Sequence, residues 1–521
     1  SIFFRKKGEK MTSAASTKIK WFQRGDINGV VYVFAGNIGS FVIAIATLLG
    51  FGWPEELVFR RVIPGVCFGL MMGGIYYSWM AYRLAKKEGK DTVTALPSGL
   101  STPVMFVYLF SVILPIQFGL GLDPETTWRY AMAACVIGGL IEAAGGFVGP
   151  TIRRVVPRAA MLATVGGIAL AWMGTRGLFD VYNMPLIGMP VLIVALLGLI
   201  GGYNLPGRIP PLVLALGFGI VLALFFREAT VVLDQLGQFT PPVPVFGEML
   251  SGVKGMLPFL ATIIPVEVYN FIETMDNVES AIAAGDNYSI KEAQIVDGLA
   301  TAIGGCFGSV FPNTVWIGHP GLKKAGCGIG YAWVSALLFG ISGFFGFFNF
   351  LYYLLPGVVV SIVFLWCTQT IITQAFSDTP RRYGAAIVVA FIPHLADILA
   401  TQTTSIFQYL GVEFTAEAAA GIVNAGAMWS GIPFLKPGAV LTGMIWATIV
   451  CAIVDRHLLK SAATCLVAAG LTFFGIIHAG QLGINAGPMN ILVGYLMAAA
   501  VFVIAHFFKD KLHYDRRYDY V

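Results

Sequence analysis

Apolar runs of about twenty residues, separated by short polar or basic stretches, recur along the chain from residue 29 to residue 507. A run of this length crosses a bilayer as an α-helix, whereas the strands of a membrane β-barrel would alternate over about ten residues. The pattern therefore predicts about sixteen membrane segments. They lie near residues 29–50, 61–82, 95–117, 129–149, 158–174, 185–203, 209–226, 256–275, 291–309, 312–326, 328–350, 354–374, 384–400, 437–455, 461–480 and 489–507.

Two of these segments, 95–117 and 312–326, are interrupted by Pro, Gly, Ser and Thr. Each is the third of a set of seven, and an odd-numbered set that is duplicated enters the membrane in opposite orientation, as in an inverted repeat. Irregular backbone at membrane depth persists where protein or a water-filled cavity meets it, so the pair predicts a binding site near the midplane. The alternative is a pair of ordinary proline kinks or re-entrant loops. The candidate ligand-facing residues are Ser98, Ser101 and Thr102 in the first segment, and Asn313, Thr314 and His319 in the second.

Composition narrows the class of protein. Of 521 residues, 57% are apolar and only 12% are charged, about half the ~25% of a soluble domain. This excludes a cytosolic enzyme, a disordered chain and a secreted disulfide scaffold, and it favours an all-α polytopic membrane protein. The seven cysteines lie in or beside apolar runs without a CxxC pair, so no metal site is expected. Hydrolase and metalloprotease motifs are missing, so we expect neither an enzyme nor a cofactor. Without a basic stripe, no nucleic-acid partner is expected.

The basic residues are distributed unevenly between alternate loops. With the termini, one set of loops holds 26 of the 33 Lys and Arg residues, and the opposite loops hold six. Cytoplasmic loops carry such an excess, so both termini are predicted to be cytoplasmic and the protein to lie in the plasma or inner membrane. The predicted organisation is a cytoplasmic tail (1–28), a first repeat (29–226), an extracytoplasmic connection (227–255), a second repeat (256–455), additional helices (456–507) and a cytoplasmic tail (508–521).

The densest polar cluster at membrane depth lies in residues 265–280. At 100° per residue, one stripe of about 100° holds Asn270, Glu273, Thr274 and Asn277, and Asp276 lies beyond Glu273. A carboxylate at this depth costs at least a few kcal/mol and is a functional candidate by default. It can accept two N–H donors from a planar ligand and, once protonated, carry a proton across, so Glu273 and Asp276 are the candidates for proton coupling.

Other ionisable residues at membrane depth lack such a pattern. His394 and Asp397 are spaced i, i+3 and are interpreted as a structural pair on one helix face. His319 could face the same cavity as Glu273. His478 is interpreted as a packed or interfacial residue.

Two sequence motifs resemble the xanthine–uracil permease superfamily, over roughly residues 25–455. Phe271-Ile-Glu-Thr-Met-Asp-Asn-Val-Glu-Ser280 is similar to the eighth-helix motif of the purine permeases, closest to the hypoxanthine–guanine branch. Asp297-Gly-Leu-Ala-Thr-Ala-Ile-Gly-Gly-Cys-Phe-Gly-Ser-Val-Phe-Pro-Asn-Thr314 is similar to the family's ninth helix and the Pro-x-Thr strand of the tenth segment.

The resemblance implies two inverted repeats of seven segments, with core and gate domains and short strands in segments 3 and 10. It implies uptake of a nucleobase or related heterocycle coupled to H⁺ or, in some members, Na⁺, often by a homodimer. The family's substrate-binding glutamate falls on Glu273. The second glutamate usual in segment 10 is replaced here by Ile317-Gly-His-Pro320, and the first-helix Gln-His by a region with Asn37.

The sequence thus predicts a secondary transporter that works by alternating access. Two alternatives stay open, a transporter of an organic or inorganic anion with the same fold, and a non-transporting membrane subunit or channel. The segment count is also open, because the last two segments are either additional helices or one helix split in two.

Overall fold

The computed structural model describes residues 19–203, 211–234 and 236–509. The outermost parts of both predicted cytoplasmic tails lie outside these ranges, and so does Arg208, one of the 26 basic residues counted on the predicted cytoplasmic side. The first half of the chain comprises α1 (Asp26–Gly50), α2 (Glu55–Glu88), β1 (Ser98–Leu100), α3 (Thr102–Val107, continued by π-helical turns to Gly119), α4 (Pro124–Val155), α5 (Arg158–Asn183), α6 (Pro185–Leu199) and α7 (Pro211–Phe225).

The second part of the chain begins with a short connecting helix and ends in two further helices. Its elements are α8 (Phe246–Met256), α9 (Leu260–Ala283), α10 (Ile290–Cys306), β2 (Asn313–Val315), α11 (His319–Lys324), α12 (Gly330–Phe344), α13 (Phe347–Leu354), α14 (Gly357–Ser377), α15 (Gly384–Tyr409), α16 (Ala416–Asn424), α17 (Ile432–Leu435), α18 (Ala439–Val454), α19 (Leu458–Phe473) and α20 (Met489–Phe507).

The same order of elements occurs twice. In each half two helices precede a strand that opens a broken segment, and four further membrane segments follow; α12 and α13 form one bent segment with an angle of 80°. The strands β1 and β2 pair antiparallel, with Gly99 opposite Thr314. This is the predicted architecture of two inverted sevens, and the helices α19 and α20 are two distinct additional elements.

Helices suited to a bilayer are present throughout the described ranges. Seven of them, α1, α2, α4, α5, α14, α15 and α20, are long and apolar enough to cross a membrane. Shorter apolar helices are α6, α7, α18 and α19. The chain is therefore a multi-pass membrane protein, and α9 differs from these helices because it carries the polar stripe.

The helices form two bundles. In the first bundle α4 packs against α9 and α10, and α2 packs against α10 and α12. In the second, α5 packs against α14, α15 and α18. Small residues allow the closest approach in the first bundle: Gly298 of α10 faces Gly139 and Ala143 of α4. The paired strands lie in the first bundle and end at its boundary with the second.

Candidate functional site

The strand pair brings the two interrupted segments together. Pro97 and Pro312 prevent a helix on the residues that precede each strand. Their carbonyls accept hydrogen bonds from the opposite segment, from Trp316 N at 2.8 Å and from Ser101 N at 3.3 Å. Asn37 of α1 stabilises this junction, because its Oδ1 accepts a bond of 2.8 Å from Leu100 N. Every residue of both strands is buried.

A cavity, called the central cavity below, lies where the strand ends meet the second bundle. It encloses about 750 Å³ of empty space, including solvent at its mouth. Its walls come from α1, α3, α5, α9, α14 and the residues after β2. The lining residues are Tyr32, Thr102, Pro103, Leu162, Val165, Met173, Glu273, Asp276, Asn277, Trp316, Ile317, Trp366, Ile371 and Gln374.

The ionisable side chains of this lining are acidic rather than basic. Glu273 and Asp276 are the two carboxylic acids of the lining, and no Lys, Arg or His occurs among the described residues that form its walls. Ser101 Oγ donates to Glu273 Oε2 at 2.7 Å, which orients one oxygen of the carboxylate. Asn277 Nδ2 donates to Val315 O at 2.7 Å and so links α9 to β2. The site thus presents carboxylate acceptors beside amides and aromatic rings.

A buried polar layer lies behind Glu273, on the side away from the cavity. Thr274 Oγ1 lies 2.6 Å from Asp297 Oδ2, 3.2 Å from Glu142 Oε1 and 3.1 Å from Thr314 Oγ1. Asn270 Nδ2 donates to Glu142 Oε2 at 3.1 Å and lies 3.3 Å from Asn313 O. All of these side chains are at most 2% exposed. Asn270, Thr274, Asn313 and Thr314 therefore hold α9, α10 and β2 together and do not line the central cavity.

Of the remaining predicted residues, some line the central cavity and others contact only neighbouring helices. Thr102 lines the cavity and its hydroxyl lies 2.7 Å from Ser40 Oγ, which ties α3 to α1. Ser98 Oγ donates to Leu70 O at 3.4 Å and so faces α2. Of the predicted ligand-facing set, only Glu273, Asn277 and Thr102 line the cavity directly, together with Asp276, and Ser101 reaches it through Glu273.

His319 lies away from the central cavity, contrary to the expectation that it shares it. Its Nε2 is 3.0 Å from Thr94 O and 3.2 Å from Asp286 Oδ2. Lys323 Nζ donates to Asp286 Oδ1 at 2.5 Å. Burial acts to raise the pKa of Asp286, but the hydrogen bonds from His319, Lys323 and Thr94 N outweigh it and lower that pKa below its ordinary value. Because the chain turns at Gly318, the side chain of His319 lies in this cluster. The cluster joins α11 to the loop between α9 and α10.

Replacing Asp286 with Asn is expected to lower the melting temperature of the purified protein. The change leaves Lys323 and His319 without their carboxylate, and breaking a buried ion pair costs about 3 kcal/mol. Because the folded pKa is lowered, the stabilisation is present at neutral pH and is lost as the pH falls below 3.8 toward the folded value. The exposed Asp91, changed to Asn, is the matched control. Equal melting temperatures for Asp286→Asn and wild type at neutral pH would contradict this role.

Four residues that line the central cavity were not predicted from the sequence. Tyr32, Trp316 and Trp366 form an aromatic wall, with ring centroids 5.5 Å apart for Tyr32 and Trp316 and 6.1 Å apart for Tyr32 and Trp366. Gln374 adds an amide from α14. Trp316 stands within an interrupted segment, three residues after Asn313, so a signal for it existed. Tyr32, Trp366 and Gln374 lie on continuous helices, where aromatic and amide residues carry no such signal.

Comparisons with known proteins add similarities of fold. No family model and no curated protein matches the sequence. The transmembrane domain of BicA, a cyanobacterium bicarbonate transporter, is similar at 15% identity over 73% of this chain and 98% of that one, with a TM-score of 0.48. Murine solute carrier 26 family member A9, an anion transporter in the inward-facing state, is similar at 13% identity over 75% of this chain and 69% of that one, with a TM-score of 0.45. At this level the likeness identifies neither a family nor a ligand.

Proposed function

We propose that the protein is a secondary active transporter that binds a nucleobase or related small heterocycle in the central cavity and moves it by alternating access, coupled to protons. The observation that carries the proposal is the combination of two carboxyl groups, Glu273 and Asp276, with an aromatic wall and no basic side chain among the described lining residues. A flat molecule with N–H and C=O edges fits these groups. Its N–H edge would donate to the carboxylate, its faces would contact the rings, and Asn277 or Gln374 would meet its remaining polar atoms.

The position of the cavity supports alternating access. It lies between the two bundles, so movement of one bundle past the other would change which side of the membrane it faces. Broken segments near the midplane of an inverted repeat are the usual site of substrate binding in secondary transporters. The resemblance of residues 271–280 to the purine-permease motif points to the same substrate class.

Proton coupling is supported by the polar layer next to Glu273. The hydroxyl of Thr274 has one hydrogen, yet carboxylate oxygens of Glu142 and Asp297 both lie within hydrogen-bond distance of it. Two ionised carboxylates would compete for that hydrogen, whereas a protonated one would donate to the hydroxyl oxygen. The arrangement thus favours one proton held between Glu142 and Asp297, with Glu273 and Asp276 as the carboxylates that meet substrate and solvent.

An anion as substrate fits the cavity less well. Two carboxylates in a site of low dielectric repel a further negative charge, and no described lining residue supplies a compensating cation. A channel or a non-transporting subunit would not need a carboxylate in this position. The nucleobase therefore remains the favoured substrate class.

A ligand panel tests the proposed function. The purified protein in detergent is heated with purines, pyrimidines, ascorbate, bicarbonate or sulfate, and the melting temperature is recorded. A nucleobase at one hundred times its Kd should stabilise the folded protein by about 2.7 kcal/mol, whereas the anions should give no shift. Stabilisation by bicarbonate or sulfate alone would reject the heterocycle in favour of the anion alternative.

A further inference from the structure

A second cavity lies in series with the central cavity along the boundary between the bundles. It encloses about 930 Å³ of empty space, including solvent at its mouth. On α9 its wall includes Val266, seven residues and about 10 Å from Glu273. On α5 it includes Ile168, next to the turn that carries Val165 of the central cavity. Lys436 and the start of α18 form its rim. Lys436 belongs to the loops with few basic residues, so the second cavity lies toward the side of the membrane opposite the basic loops.

The ionisable residues of this cavity are His394, Asp397 and Lys436, and the acidic and basic groups of the last two lie apart. Asp397 of α15 is 8% exposed, and one of its oxygens accepts a bond of 3.2 Å from Trp172 Nε1. His394 does not bond to it, so the two residues are not the structural pair that their i, i+3 spacing suggested. Lys436 is half-buried on the opposite rim. Among the described residues, no ion pair within 4.0 Å joins Lys436 to Asp397, which leaves space between an anionic and a cationic group.

The two additional helices hold Lys436 in place. His478, in the connection between α19 and α20, donates from Nδ1 to Phe434 O at 2.7 Å and from its backbone N to Pro437 O at 2.9 Å. Its Nε2 accepts from Tyr495 Oη of α20 at 3.0 Å. Carbonyls on both sides of Lys436 are therefore fixed, and the neighbouring Ala479 and Gly480 complete the wall. The additional helices thus build part of this cavity.

We propose that the second cavity is a binding site for a small dipolar molecule, with a donor edge toward Asp397 and an acceptor edge toward Lys436. Its occupant is the same class of heterocycle that the central cavity takes, so the inference rests on the proposed function. The site would receive the molecule from the side opposite the basic loops and pass it to the central cavity when the bundles move. Asp397 and Lys436 attract each other electrostatically but without a contact within 4.0 Å, and a polar molecule or water between them would stabilise both groups at membrane depth.

Binding stoichiometry tests this site. Equilibrium dialysis of the full chain with tritiated hypoxanthine should give two sites per chain for the wild type. Lys436→Met, and separately Asp397→Asn, should retain one site, and Glu273→Gln should retain the other. Lys254→Met changes a lysine of α8 on the same predicted membrane face outside the cavity, and should retain both. In proteoliposomes, Lys436→Met should raise KM for uptake about tenfold.

The outcomes separate the two proposals. A single site in the wild type, lost in Glu273→Gln and unaffected by Lys436→Met, would overturn the second site and leave the proposed function standing. No binding of hypoxanthine by any form, together with no thermal shift from any purine or pyrimidine of the ligand panel, would overturn the proposed function and, with it, this inference. Melting temperatures of the variants identify any that fail to fold, and the half-buried Lys436 provides the variant least dependent on core packing.

Discussion

Replacing Glu273 with Gln is expected to reduce nucleobase uptake at least tenfold and to prevent accumulation against a gradient. An amide offers one acceptor oxygen where the carboxylate offers two, and the loss of a hydrogen bond to a charged group costs about 1.5–3 kcal/mol, or roughly a tenfold to hundredfold loss of affinity. The amide also cannot carry a proton between the two sides of the membrane. The measurement is radiolabelled uptake into proteoliposomes under an imposed pH gradient.

The matched control for this change lies on the same helix. Glu279 is one of the acidic residues of α9, but it does not line the central cavity, so Glu279→Gln should leave uptake close to that of the wild type. Ser101→Ala should give an intermediate effect because it removes the hydroxyl that orients Glu273 Oε2. Undiminished, gradient-driven uptake by Glu273→Gln would remove this carboxylate from the mechanism.

The largest loss of stability is expected from Gly298→Ala. A Cβ at this position overlaps backbone atoms of Gly139 and Ala143, so α4 and α10 would have to move apart. Overpacking of this kind costs about 3 kcal/mol. The movement would also disturb the site, since Thr301 of α10 accepts a bond of 2.9 Å from Asn313 N at the start of β2. We expect a melting temperature lower by several degrees and weaker ligand binding.

Gly217→Ala is the control for this substitution. Gly217 is also a helical glycine, in α7, but nothing lies within 4 Å of a Cβ built on it. Alanine is favoured over glycine inside a helix by up to about 1 kcal/mol, so this variant should be as stable as the wild type or slightly more stable. If both variants melt at the wild-type temperature, the close contact between α4 and α10 is not a determinant of stability.

The fold was largely predictable from the chain because its signals are local and repeated. Apolar runs identify helices by length alone, since a bilayer demands a fixed span. The proline- and glycine-rich interruptions at 95–117 and 312–326 occupy equivalent places in two sets of seven, and this equivalence predicts the inversion and the meeting of the broken segments. The two broken segments do meet in the structure, where the strand Ser98–Leu100 pairs with Asn313–Val315.

The candidate site was predictable only in part. Helical periodicity placed Asn270, Glu273, Thr274 and Asn277 on one stripe, but a stripe of about 100° is wide enough to face two different neighbours. In the structure one edge meets the central cavity, through Glu273 and Asn277. The other edge meets Glu142 and Asp297. Which edge faces which partner depends on how α9 is rotated against α4 and α10, and periodicity contains no such information.

The sequence by itself determined the order and the twofold repeat of the membrane segments, because each depends on residues close together in the chain, whereas it left the number of segments open. The tertiary structure alone decided that His319 bonds to Asp286 instead of facing the cavity, and that Tyr32 and Trp366 join Trp316 in its wall. It also decided that Asp397 and Lys436 share a second cavity. These outcomes join residues up to several hundred positions apart, and they follow from the packing of whole helices, for which no short stretch of sequence carries a signal.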